Sequence, residues 1–221
     1  MSRRPAARAG REVLETVRWL AERRLYTGTS GNVSSRVAGG FVVTPTGIAC
    51  DVLAAADMVT VAADGRPRGK MLPSSEWRLH RDIYVRRPEV GAVVHTHSPF
   101  ATALSSLRRP IPAFHYMVAK TGGAQLRCAR YATYGTDALS KNALTALDGR
   151  RACLLANHGV VVLGADLKAA RLLAEEIELL ALQYVVARAA GSPAILPAAE
   201  MARVAQKFAG YGQARPRSRA P

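Results

Sequence analysis

Two histidines, His95 and His97, stand one residue apart at the end of the apolar run Gly91-Ala92-Val93-Val94. In a strand, residues i and i+2 point to the same face, so both imidazoles project together, as a two-ligand metal clamp requires. With five His in the chain, such a pair alone is suggestive but not specific. His158 adds a third ring. It follows the apolar run Ala152–Ala156 and lies between Asn157 and Gly159, where glycine lets the backbone turn sharply enough for the ring to reach inward. Three neutral imidazoles suit zinc or a similar borderline ion, with one position left open or filled by a carboxylate. The candidate carboxylate is Glu76, in Pro73-Ser74-Ser75-Glu76-Trp77. Its plainer reading is a first-turn acid that complements a helix dipole. His80, four residues on and on the same helix face, reads as a supporting or packing residue rather than a ligand, and His115 beside Tyr116 reads similarly.

Three small-residue segments could grip an anion. Thr29-Ser30-Gly31-Asn32 offers hydroxyls, an amide and backbone N–H groups, and Thr44-Pro45-Thr46-Gly47 offers another hydroxyl and a glycine N–H. Ser74-Ser75 stands at an expected helix N-terminus, where free N–H groups and the dipole favour negative charge. None matches a P-loop or a Rossmann fingerprint, and each alone is also compatible with a plain turn or cap.

The elements that must position these residues follow from periodicity. Apolar residues at helical spacing predict a helix over residues 9–25. The stretches 33–37 and 41–44, around Gly39-Gly40, read as a hairpin, and 58–62 as a further strand. A helix capped by Ser runs from Pro73-Ser74-Ser75 to a stop before Pro88. Residues 91–96 read as a strand, 100–107 as a short helix and 114–118 as another strand. Thr136 caps a helix over 137–147. The stretches 152–156 and 160–163 are strands, 167–189 is the longest helix, and Pro197 opens a last helix to about Phe208. Several strand connections are too short for parallel crossovers. The expected fold is therefore an α/β, three-layer α/β/α single domain with a mainly antiparallel central sheet. It spans residues 1–212, with 213–221 as a disordered basic tail.

Composition narrows the function classes. No apolar run is long enough to span a bilayer, and the basic opening residues have no apolar segment behind them, so no secretory signal is expected. Cys50, Cys128 and Cys153 are widely spaced, which argues against a disulfide framework and for a reducing, cytoplasmic setting. The net charge of +15 makes nucleic acid a rival partner. The arginines are scattered, however, and no basic helix alternates with aromatics, which favours a compositional bias over a nucleic-acid footprint.

Taken in order, the segments GTSGNVS at 28–34, TPTGI at 44–48, LPSSEWRLH at 72–80, VVHTHS at 93–98, IPAFHYM at 111–117, YATYGT at 131–136 and NHG at 157–159 resemble the class II aldolases. That family includes L-fuculose-phosphate aldolase, related epimerases and the adducin head domain, and the resemblance covers roughly residues 12–212. It implies that His95, His97 and His158 bind a divalent metal, usually zinc. Glu76 would be a fourth ligand in the resting site and the catalytic base once substrate displaces it. Thr29, Gly31, Asn32, Thr46, Gly47, Ser74 and Ser75 would hold the phosphate of a ketose 1-phosphate. Tyr116 stands where the family keeps an acid for the aldehyde half, and Tyr211 matches a mobile tyrosine with Phe208 as its apolar neighbour. The implied assembly is a homotetramer with its active site at subunit contacts. Tyr134 replaces an expected phenylalanine, a departure that would alter the aldehyde pocket, and the Arg- and Pro-rich end departs from the family tail.

The implied reaction is cleavage of a ketose 1-phosphate to dihydroxyacetone phosphate and a small aldehyde, L-lactaldehyde from L-fuculose 1-phosphate by default or acetaldehyde from a 5-deoxyribulose 1-phosphate. A Lewis-acid metal makes a lysine Schiff base unnecessary, although Lys70 and Lys120 are available. The same scaffold also serves epimerases and dehydratases, and adducin-like modules without catalysis. The resemblance sets Glu76 against the epimerases, which carry aspartate there, and a non-catalytic module has no need of the three histidines.

Overall fold

The computed structural model describes residues 5–210. The strands are β1 (Asn32–Val37), β2 (Gly40–Val43), β3 (Val59–Ala62), β4 (Pro67–Arg68), β5 (Ala92–Thr96), β6 (Cys128–Ala129), β7 (Ala152–Leu155) and β8 (Gly159–Gly164). They form one sheet in the order β4-β3-β2-β1-β5-β8-β7-β6. Every pairing is antiparallel except β6 with β7. The helices are α1 (Ala6–Glu22), α2 (Trp77–Arg86), α3 (Pro99–Ser105), α4 (Asp137–Ala146), α5 (Leu167–Ala190) and α6 (Ala198–Ala209).

Strand alternation creates two cores. Val33, Val94, Leu154, Val160 and Val162 face one side and pack with Val13 and Val17 of α1, Leu104 of α3 and Ile177 of α5. Phe41, Val61, Val93, Cys153, Val161 and Leu163 face the other and pack with Leu79 and Ile83 of α2 and Leu139 and Ala143 of α4. The layered α/β/α architecture with a mainly antiparallel sheet is as expected. Helix α6 packs separately, with Met201 against Leu180, Val118 and Ala113.

Several local expectations change. Residues 114–118 are not a strand. A 3-10 turn runs over Tyr116–Thr121, capped by His115, whose Nδ1 accepts the Met117 N–H, and ended by Gly122 with φ 98°. Val118 and Ala119 are buried against α5 and α6, so tertiary packing overrides the local β propensity. Helix α2 starts at Trp77 with Glu76 as N-cap, and its first turn carries no side-chain cap. Ser74 instead accepts the Glu76 N–H through its Oγ, at 3.3 Å, within the preceding turn. Strands β4 and β6, two residues each, have no counterpart among the expected elements.

Part of the arginine excess is structural. Arg36 donates to the carbonyls of Tyr84, Arg87 and Val90, tying the C-terminal end of α2 to β1. Arg87 donates to the carbonyls of Leu147 and Arg150 beyond α4. These guanidinium groups bond to carbonyls at and just beyond the C-terminal ends of α2 and α4. All three cysteines are free, and no described helix is long and apolar enough to cross a membrane.

Candidate active site

The central strands bring the histidines together. His95 lies on β5, between Asn32 of β1 and Val161 of β8 in register. His97 follows on the same side, and His158 sits in the turn between β7 and β8. The three ring centroids form a near-equilateral triangle, 4.8 to 4.9 Å on a side, and every pair meets edge to face. Their candidate ligand nitrogens all lie within 4.8 Å of one another. His95 Nδ1–H donates to the Val160 carbonyl at 2.9 Å, which leaves its Nε2 lone pair facing the other rings. His97 Nε2 is 3.0 Å from that atom.

Two glycines allow this approach. A Cβ on Gly31 would stand 2.7 Å from the His95 carbonyl oxygen, and the residue has φ 105°. Gly159 acts differently from the expectation. The sharp turn is made by Asn157, with φ 53°, while Gly159 is needed for space: its Cβ would stand 2.4 Å from the Thr96 carbonyl oxygen.

Glu76 closes the site from the start of α2. Its Oε2 is 3.2 Å from His95 Nε2 and accepts a hydrogen bond from Asn32 Nδ2 at 2.9 Å. Its Oε1 is 3.6 Å from His158 Nε2 and is buried without a hydrogen-bond partner. Burial alone would raise this carboxyl, but His95, His158 and the Asn32 amide outweigh it and hold it well below the usual carboxylate range. Burial also works against charge on His95, yet the Glu76 carboxylate raises it. Desolvation, with His95 adding to it, lowers His97 and His158 to about 4. Both are therefore neutral at pH 7, the form a metal ligand must take. A carboxylate oxygen with no partner, facing three imidazoles, is the donor set a divalent ion would satisfy.

The anion-gripping segments converge on the same place. Thr29, Gly31, Asn32, Thr46, Gly47, Ser74 and Ser75 line one cavity of about 290 Å³, together with Glu76, His97 and His158. His95 lies behind it, fully buried. Tyr116 lies elsewhere: it is 47% exposed and stacks on Phe208 with ring centroids 6.1 Å apart. Tyr211 falls outside the described residues. The cavity also takes Tyr134, which the resemblance set at the aldehyde pocket, and Tyr131 and Asn157, to which sequence reasoning gave no binding role. The available signal was two tyrosines in a turn-rich stretch just before the Thr136 cap, and they prove 54% and 65% exposed. Asn157 Oδ1 accepts from Arg108 Nε–H at 2.6 Å, and the same guanidinium lies over the Tyr131 ring.

Residues 11–185 match the family model described as Class II Aldolase and Adducin N-terminal domain. The chain belongs to this family. Among similar class II aldolases, the 5-methylthioribulose-1-phosphate/5-deoxyribulose-1-phosphate aldolase of Rhodospirillum rubrum is 50% identical, covering 90% of each chain. An L-fuculose phosphate aldolase of Escherichia coli O6:H1 is 43% identical, covering 91% of this chain and 94% of that one. A solved L-fuculose 1-phosphate aldolase superposes with a TM-score of 0.88 at 40% identity, covering 91% of this chain and 96% of that chain. Membership supports lyase chemistry on a sugar phosphate, and the histidine group could hold a metal ion.

Proposed function

We propose that this class II aldolase is metal-dependent and cleaves a ketose 1-phosphate to dihydroxyacetone phosphate and a small aldehyde. Its preferred substrates are 5-deoxypentulose 1-phosphates, namely 5-deoxyribulose and 5-methylthioribulose 1-phosphate, ahead of L-fuculose 1-phosphate. The observation that carries the reading is the single cavity in which three anion-gripping segments meet Glu76 and the histidine group. The substrate preference is supported by the greater identity to the Rhodospirillum rubrum enzyme than to the fuculose phosphate aldolase.

In this reading His95, His97 and His158 hold the ion, with Glu76 as a fourth ligand at rest, and zinc suits the donor set. The metal supplies Lewis-acid stabilisation of negative charge developing beside the substrate ketone. Thr29, Gly31, Asn32, Thr46, Gly47, Ser74 and Ser75 hold the phosphate and so fix the three-carbon half. Glu76 moves the proton: it protonates the carbon left by C3–C4 cleavage, and in synthesis it removes that proton from dihydroxyacetone phosphate. Its Oε1 supports this role, because no described residue hydrogen-bonds to it. Tyr116 takes the proton from the C4 hydroxyl. Its exposure, outside the cavity of its own chain, supports its service to a neighbouring subunit in a homotetramer, with Tyr211 assisting.

The test is release of dihydroxyacetone phosphate by zinc-loaded protein, read by reduction with a coupled NADH-dependent dehydrogenase. Higher kcat/KM for the two 5-deoxypentulose phosphates than for L-fuculose 1-phosphate is expected. Release from L-fuculose 1-phosphate alone would overturn the substrate preference, and release from none would overturn the aldolase reading.

A further inference from the structure

Behind the cavity, five buried side chains form an unbroken row: Tyr84, Ser34, His80, Asn32 and Glu76, none more than 5% exposed. Tyr84 OH is 2.8 Å from Ser34 Oγ, and Ser34 Oγ is 2.6 Å from His80 Nδ1. His80 Nε2 makes a short contact with Asn32 Oδ1, and Asn32 Nδ2 is 2.9 Å from Glu76 Oε2. The elements explain the row. Asn32 and Ser34 are two apart on β1 and pair with His95 and Val93, so they share the sheet face that α2 covers. Glu76 and His80 are four apart and meet that face from the start of α2. The proposed chemistry uses Asn32 and Glu76 but leaves Tyr84, Ser34 and His80 without a role.

The direction of the row is forced from its catalytic end. An ionised carboxylate only accepts, so Asn32 must turn its NH2 toward Glu76 and its carbonyl toward His80. A carbonyl also only accepts, so His80 Nε2 must carry the hydrogen. A neutral imidazole has one N–H, which leaves Nδ1 as acceptor and the Ser34 hydroxyl as its donor. That uses the only Ser34 hydrogen, so Tyr84 must donate to Ser34.

We infer that the row is a one-way hydrogen-bond relay in which His80, held as the Nε2–H tautomer, is a positioning residue for the Glu76 carboxylate. It locks the Asn32 amide, which occupies Glu76 Oε2 and leaves Oε1 as the oxygen that carries the proton. The unpartnered state of Oε1 agrees with this division between the two oxygens. Burial, with His95 adding to it, pushes His80 down to about 3 and keeps the ring neutral. Reversing the relay would set the Asn32 carbonyl against the carboxylate, so the tautomer and the carboxylate orientation stand or fall together. The catalytic consequence rests on the aldolase reading; the tautomer does not.

The test has two parts. In the first, long-range proton–nitrogen correlation NMR on nitrogen-15-labelled full-length protein, metal-free and zinc-loaded, identifies His80 by its absence in His80→Gln. A neutral ring protonated at Nε2 at pH 7 is expected, and an Nδ1–H tautomer or an imidazolium would overturn the relay. The second part compares His80→Phe, which keeps an apolar ring, with His80→Gln, which keeps a donor at the ε position. Proton exchange on dihydroxyacetone phosphate should fall about 10- to 100-fold in His80→Phe, with zinc stoichiometry unchanged, and recover in His80→Gln. Wild-type exchange in a folded, zinc-loaded His80→Phe would remove the positioning role. If His80→Phe does not fold, loss of exchange in a folded, zinc-loaded His80→Gln would count against the relay instead. Absence of exchange in the wild type would sink the aldolase reading, while the NMR spectra would still decide the His80 tautomer.

Discussion

Gly159→Ala offers a severe test of the site's packing. Gly159 opens β8 where the His158 turn meets the end of β5. A Cβ there would stand 2.4 Å from the Thr96 carbonyl oxygen, 3.0 Å from His97 Cδ2 and 3.4 Å from His95 Cε1. The nearest atom is backbone and cannot rotate away. Reaching an ordinary carbon–oxygen contact of ~3.3 Å requires a shift of ~1 Å between the turn and β5. Overpacking of this kind costs ~1–3 kcal/mol. For a chain of this size that lowers Tm by ~2–12 °C. The same shift moves the His158 turn against His95 and His97, and metal sites tolerate ligand displacements of only ~0.2 Å. Zinc affinity should therefore weaken by at least about tenfold. Thermal melts and zinc competition against a chromogenic chelator read both effects. A Gly159→Ala protein with wild-type Tm and zinc affinity would refute the close packing of the three rings.

Other outcomes follow from the same geometry. Glu76→Gln keeps the Asn32 contact through the amide oxygen but removes the base, so proton exchange on dihydroxyacetone phosphate should fall ~10²–10⁴-fold. Near-normal exchange in that variant would remove Glu76 as the base. Ser75→Ala deletes one proposed phosphate contact, worth ~1–1.5 kcal/mol, and should raise KM ~5- to 13-fold with little change in kcat. A lowered kcat at constant KM would contradict its role. The metal-free protein should lose stability in acid. His80 is fully buried, with its folded value lowered from 6.5 to about 3, so below pH 6.5 only the unfolded chain takes that proton. The His80 contribution is complete above 6.5 and falls away toward 3, at up to ~1.4 kcal/mol per pH unit, and urea titrations should show that slope reduced in His80→Gln.

Much of the site was legible because its signals are local. The spacing of His95 and His97 matches the strand repeat, and the small-residue segments announced turns with free N–H groups. Long-range consequences were not legible. Gly159 serves an approach to a strand more than 60 residues earlier in the chain, which no local pattern records. Strands β4 and β6 are too short to show an alternation, and residues 114–118 yield to packing beneath α6. Tyr131 and Tyr134 reach the cavity only because the stretch before α4 folds back over Ser75, where Gly135 comes close to the Ser75 carbonyl. His80 was recognisable as a helical neighbour of Glu76, but its partners Ser34 and Tyr84 emerge only when β1 lies under α2.

The most direct measurement of the central claim is solvent-deuterium exchange into dihydroxyacetone phosphate, followed by proton NMR, without any aldehyde present. Zinc-loaded protein should exchange one stereospecific hydrogen, and chelated protein should exchange none until zinc is restored. Folded, zinc-loaded protein that leaves dihydroxyacetone phosphate unlabelled would contradict the proposed metal-dependent aldolase chemistry.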